Sequence, residues 1–221
     1  MELTKEQHLQ IDNYIFACGI KFYDVRTEIV DHFANILEQK LNKNPDLNFK
    51  KEIENIHRNF SDRGFSKLLK EKTKAVQKRF FKQSLKNFIT FFKVPKIIIA
   101  TALFYSLQLL MQLFDDKELY FNVLTGIGFL YLIAFLIKRK EKKNKFLALN
   151  LNNALFHIIN NMITLFNTLT IFRNKESFTN PLYNNIQLTI YVMLILLLWS
   201  VNTVYNQNKK TVRTLYPLIT L

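Results

Sequence analysis

Asn153, His157, Asn160, Thr164 and Asn167 recur at steps of four, three, four and three, a spacing that places them on one stripe of a helix. His157 is the only ionisable group deep in a long apolar stretch. An imidazole there could sense protons or hold a ligand together with Asn153, Asn160 and Gln108. A second stripe, Thr101, Tyr105, Gln108, Gln112 and Asp115, has the same spacing. Both stripes also have a plainer use as hydrogen-bonding glue between helices, worth about 0.6 kcal/mol per bond and at most about 2 kcal/mol. The third constellation is charged: Asp24, Arg26, Glu28, Asp31 and His32 lie within nine residues. They make either a capped helix with a solvated face or a face that binds a partner.

Chemistry of other kinds is not expected. His8, His32, His57 and His157 stand at no metal-ligand spacing to one another, and Cys18 is the sole cysteine, so neither a metal site nor a disulfide framework is predicted. There is no phosphate-cradling Gly loop, no His-Glu-x-x-His and no Ser elbow. No cofactor and no enzymatic activity are therefore expected.

The elements that must position these residues follow from charge and hydropathy. The chain has 221 residues, 49% of them hydrophobic, and a formal net charge of +14. Residues 1–65 carry net −2, residues 66–96 carry +9, and the remainder sits in short islands at 115–118, 138–145, 173–176 and 209–213. Between the islands run four stretches, 94–114, 119–137, 146–172 and 182–205, with no Asp, Glu, Lys or Arg except Lys96. A 21-residue helix spans about 31 Å at roughly 1.5 Å per residue, the thickness of a bilayer's hydrocarbon core. The expected architecture is all-α: a small helical module over 1–65, a basic amphipathic connector over 66–93, a four-helix transmembrane bundle over 94–205 and a tail over 206–221.

Basic residues resist translocation, and the segments between spans hold ten, one, six, two and three of them in turn. Four spans with both termini cytoplasmic put every basic-rich segment on one side. The first 21 residues lack the apolar core of a cleavable signal, so the module is expected to stay where it was made, on the cytoplasmic face of the inner membrane.

Within the module, Thr4 and Gln7 form a capping-box pattern and Gly19 is the expected stop of a first helix. A second helix is predicted to begin after Asp24 and to end in 42–45, with Val25, Ile29, Val30, Phe33 and Ile36 as its apolar face. A third follows Asn48, with Phe49, Ile53, Ile56 and Phe60 inward and Gly64 as its stop. About 65 residues make a marginal core, so this module should dock on something more. In the connector, Phe81, Leu85, Phe88, Ile89 and Phe92 interleave with Lys78, Arg79, Lys82 and Lys86. That pattern suits a helix lying at a membrane surface with its bases on anionic headgroups, each adding about 1 kcal/mol. Nucleic acid is not an expected partner, because no zinc-ligand, helix-turn-helix or RNP pattern accompanies the charge.

The run Tyr23-Asp24-Val25-Arg26-Thr27-Glu28-Ile29-Val30-Asp31-His32-Phe33, followed by Asn44-Pro45, Phe49 and a helix ending near Gly64, resembles the HAAS-type helical signalling domain and the related permease-prefix domains. The likeness covers about residues 5–70. The family's usual closing Leu-Gly-x-Pro is here Phe60-Ser61-Asp62-Arg63-Gly64. The resemblance implies a cytoplasmic interaction or sensing module at the amino end of a bacterial membrane protein, of a kind often encoded beside PadR-type transcription regulators.

These features together predict a membrane sensor or regulatory adaptor whose module binds a cytosolic regulatory protein through Asp24, Arg26, Glu28, Asp31 and His32. Expected partners are that protein, anionic lipids and further copies of the chain. The alternative is a small oligomeric channel, transporter subunit or membrane-perturbing effector built around Gln108, Gln112, Asn153, His157, Asn160 and Asn167.

Overall fold

A computed structural model describes residues 2–60, 64–140, 145–150 and 152–217, without the side chains of 60, 64, 132, 135–140, 152–157 and 159. Every regular element among the described residues is helical: α1 (Lys5–Ala17), α2 (Tyr23–Lys43), α3 (Phe49–Phe60), α4 (Gly64–Ile89), α5 (Ile97–Gln112), α6 (Lys117–Lys140), α7 (Asn152–Ile171) and α8 (Pro181–Leu215). The chain divides into two compact units. Of the described residues, 2–78 and 145–150 form the first, and 79–140 and 152–217 the second.

The first unit contains α1, α2, α3 and the opening turns of α4. Thr4 Oγ1 accepts the Gln7 N–H at 3.2 Å and the Gln7 side chain accepts the Thr4 N–H at 2.8 Å, closing the predicted capping box. Gly19 follows α1 at φ +97°, a left-handed conformation that glycine takes without steric cost. α2 starts at Tyr23, slightly earlier than expected, because Asp24 sits in its first turn rather than before it. Asn48 Oδ1 accepts the Lys51 N–H at 3.1 Å and opens α3. The unit's core joins Ile11 and Ile15 of α1, Ile29, Phe33 and Leu37 of α2, Ile53 and Ile56 of α3, and Phe65 of α4.

That core has one more contributor. Leu147, from a turn of 3-10 helix at Leu147–Leu149, is part of it, and Phe146 and Leu149 are also buried. Residues 146–150 were expected to begin a membrane span; they belong instead to the first unit. Their apolar side chains find protein to bury against, and α7 begins only at Asn152.

The second unit holds the end of α4 and α5 to α8. α5 packs on α8, α6 on α7, and α7 on α8. Met111, Phe121, Leu124, Phe166 and Leu188 form one cluster, while Phe91, Val192 and Leu196 form another. Two polar devices set the helix ends. Asp116 Oδ1 accepts the Glu118 N–H at 2.8 Å to start α6, and Asn180 Oδ1 accepts the Leu182 N–H at 2.9 Å ahead of Pro181 at the start of α8. Pro there costs nothing, since the first N–H groups of a helix have no internal partner.

Among the described residues, α8 is the one unbroken helix long and apolar enough to cross a membrane, and a third of its most apolar window is buried. The helix Phe65–Phe92, which is α4 with the short turn after it, meets that test together with α5, but the two are bent by 76° at the break that contains Pro95. α5 itself has 16 residues, fewer than the 21 expected of the first span. Phe172, Leu113, Leu130, Leu109 and Leu182 lie outward on the second unit, each more than 60% exposed. A soluble monomer rarely presents so much apolar surface.

Candidate functional site

The charged run of α2 is the best-defined polar site of the first unit, and its residues face different ways. Asp24 points to the Leu147–Leu149 turn. Its Oδ1 accepts the Leu147 N–H at 2.8 Å and its Oδ2 the Ala148 N–H at 2.9 Å, while Oδ1 also takes the Val25 N–H at 3.1 Å. One carboxylate therefore caps two helix-like turns, supplying acceptors to N–H groups that have none within their own turns. The Tyr23 N–H donates to the Lys145 carbonyl at 2.8 Å, and the Tyr23 ring meets Phe146 edge-on at 5.9 Å. The 145–150 segment is thus clamped to the amino end of α2.

Arg26 pairs with Asp12 of α1 at 2.6 Å and lies over the rings of Phe16 and Tyr23. Glu28 pairs with Lys72 of α4 at 2.5 Å, in an exposed setting where such a pair contributes about 0 to 1 kcal/mol. Asp31 and His32 are exposed. Of the residues expected to meet a partner, Asp24, Arg26 and Glu28 are joined to other parts of the unit, and the side chains of Asp31 and His32 are exposed.

His32 also lines a cleft of about 480 Å³ between α2, α3 and α4. Its floor is Ile36, Ile56 and Leu68, and Lys40, Lys67 and Glu71 stand at its rim. Lys40 is bonded to Glu52, whose second carboxylate oxygen accepts from Asn55 at 3.1 Å. The Lys40 hydrogen bond, then the Asn55 one, holds the Glu52 carboxyl below its ordinary value of 4.5. An apolar floor with charges of both signs at the rim suits a short amphipathic segment of a protein partner. Close by, the Tyr14 hydroxyl bonds His57 Nδ1 at 2.8 Å, and the His57 ring stacks on Phe65 at 4.3 Å. The exposed Cys18 thiol is pushed up, chiefly by partial desolvation.

Along α4, Lys78, Arg79, Lys82 and Lys86 are all exposed. Beside them Phe81, Leu85 and Ile89 form an exposed apolar edge at steps of four, while Phe80 and Ser84 are buried. The helix thus carries three strips in order: buried, apolar and outward, basic. Such a succession is what a helix at a lipid surface needs.

The intramembrane stripes read from the sequence do not behave as units. On α5, Tyr105 is 62% exposed, and Thr101 and Gln112 are exposed too, because Leu103, Phe104, Leu107 and Met111 supply the packed face. Gln108 and Gln112 line a cavity of about 550 Å³ shared with Asp115, Asp116 and Lys175. On α7, Asn160 and Thr164 are exposed, and Asn167 turns toward a separate cavity beside α6 and α8. The side chains of Asn153 and His157 lie outside the described residues.

A network that sequence reasoning missed centres on Arg173, just past α7. Its guanidinium donates to Gln187 Oε1 and Asn184 Oδ1 at 2.5 Å, to the Ser177 carbonyl at 2.6 Å and to Ser177 Oγ at 3.0 Å. It also sits 4.1 Å above the Phe178 ring. Asn184 and Gln187 are buried, and Gln187 donates onward to Thr170 Oγ1 at 2.9 Å. Every acceptor is neutral, so burial lowers the guanidinium pKa. The signal was a basic residue at a helix end, ahead of two amides three residues apart on the next helix.

No family model, curated protein or solved structure matches this chain. The likeness to HAAS-type domains therefore stands on the Tyr23–Phe33 run and the residues after it alone.

Proposed function

We propose that this chain is a bacterial inner-membrane regulatory adaptor, multi-pass with both termini cytoplasmic, whose helical module binds a soluble regulatory protein. The supporting observation is the capture of 145–150 by Asp24. That segment lies in the link between α6 and α7. The chain itself therefore joins both helices to the start of α2, which is the route a signal would take on this reading. α4 gives a second covalent route, since one helix runs from the module into the second unit. The outward apolar coat of the second unit supports its placement in lipid, and the basic strip from Lys78 to Lys86 supports contact with anionic headgroups. The cleft beside His32 is the face offered to the regulator.

The test uses the full chain, tagged and crosslinked in native membranes. A soluble regulator should be captured in stoichiometric yield, should be lost with a His32→Glu, Lys67→Glu double change, and should change in yield with Asp24→Ala. Ion flux through liposomes holding the purified chain, with no such capture, would instead favour a channel.

A further inference from the structure

Between α6, α7 and α8, wholly inside the second unit, lies a cavity of about 420 Å³. Small-molecule sites occupy roughly 300 to 1,000 Å³ and pair mostly apolar walls with a few placed polar groups. The walls here are mainly carbon, and five polar side chains reach them: Thr125, Tyr131, Asn167, Tyr191 and Asn202. Four of these are engaged. Thr125 Oγ1 donates to the Phe121 carbonyl at 2.9 Å, the Tyr191 hydroxyl donates to the Leu124 carbonyl at 3.5 Å, and Asn202 Nδ2 donates to the Tyr131 hydroxyl at 3.4 Å.

Asn167 is the exception. Its Oδ1 is buried and has no hydrogen-bond partner among the described residues. Buried side-chain oxygens are seldom left so, because the loss of water's hydrogen bonds is not made good. An alkyl chain would fill the space and leave this amide unpaired. A hydroxyl both donates and accepts, so it pairs with whichever end of the amide faces the cavity, and with the enclosed oxygen once the amide turns over.

We propose that this cavity binds a lipophilic alcohol, its hydroxyl on the Asn167 amide and its apolar body between α6, α7 and α8. Gly128 keeps the space open from the α6 side: a Cβ there would meet only Ile163 Cγ1, at 3.9 Å. A larger side chain at 128 therefore enters the cavity rather than the backbone. This site supplies a ligand class for the sensing role but does not depend on it.

The chain carries its own reporter, since its one tryptophan, Trp199, lines the cavity. The full chain in phosphatidylcholine nanodiscs is titrated with 12-bromo-1-dodecanol and, separately, with 1-bromododecane, following quenching of Trp199 fluorescence. The alcohol should quench saturably at a concentration at least about tenfold below the alkane, the gap expected of one well-made hydrogen bond, and excess 1-dodecanol should reverse it. Asn167→Leu should bring the alcohol to the alkane's level, and Gly128→Leu should weaken both. Equal quenching by the two probes in the wild-type chain would overturn the proposal and leave lipid chains as the occupant. So would an alcohol advantage that survives in Asn167→Leu. If that variant does not fold, the wild-type comparison decides alone. Because the readout is ligand contact, it succeeds or fails separately from capture of a regulator.

Discussion

The carboxylate of Asp24 accepts the backbone N–H of Leu147 at 2.8 Å across 123 positions of sequence, and its other oxygen takes the neighbouring N–H of Ala148. A side chain at the start of α2 thereby organises the turn that separates α6 from α7. Hydrogen bonds to a charged group contribute about 1.5 to 3 kcal/mol each when the partner stays in place. Asp24→Ala should therefore destabilise the first unit by about 2 to 4 kcal/mol, and amide hydrogen exchange at Leu147 and Ala148 should quicken first. Asp24→Asn should fall between the two, since its one carbonyl oxygen serves a single N–H and its amide faces the other. Unchanged exchange at these two positions in Asp24→Ala would remove the clamp.

Glu52 links stability to acid. Its folded carboxyl titrates below the ordinary value of 4.5 because Lys40 and Asn55 hold the charged form. A carboxyl depressed on folding stabilises the protein above its unfolded pKa, and that contribution disappears as pH falls through the folded pKa. The stability of the first unit should drop as pH is lowered through 4.5 and on through the lower folded value. Lys40→Met should flatten that drop, measured as denaturation midpoint against pH. An equally steep profile in the variant would assign the acid sensitivity to other carboxylates.

Arg173 holds Gln187, Asn184 and Ser177 through a planar fork, and an ammonium cannot reproduce that geometry. Arg173→Lys should lower the thermal stability of the detergent-solubilised chain, by about 1 to 3 kcal/mol for the bonds lost. Arg173→Met should cost at least as much, since Asn184 and Gln187 are buried and would be left short of donors. A melting temperature that does not move with either change would show the network to be incidental.

The strips on α4 give a depth prediction. In a Cys18→Ser background and in membranes, cysteines placed at Leu85 and Ile89 should resist a water-soluble maleimide, while one at the exposed Gln83 should react. Equal labelling at all three would lift α4 out of the lipid surface.

Much of the local structure could be read from residue order alone. The Thr4–Gln7 box, the glycine after α1, the Asn48 start of α3 and the all-helical class depend on contacts within a few residues, where side-chain type decides the outcome. The uneven charge and the apolar content of α8 were equally plain. Two kinds of fact were not. Hydropathy records that Phe146, Leu147 and Leu149 avoid water, but not whether lipid or protein receives them. Only the fold shows them buried, with Leu147 in the core of the first unit. Spacing records that Thr101, Tyr105 and Gln112 share a side of α5, but not which side packs. Phe104, Leu107 and Met111 took the inner face because α8 offered them more contact. The sequence by itself determined the helical class, several of the helix caps and which residues shun water. Tertiary structure decided what each of those residues touches, because a buried position is chosen by competition among distant surfaces that no local pattern contains.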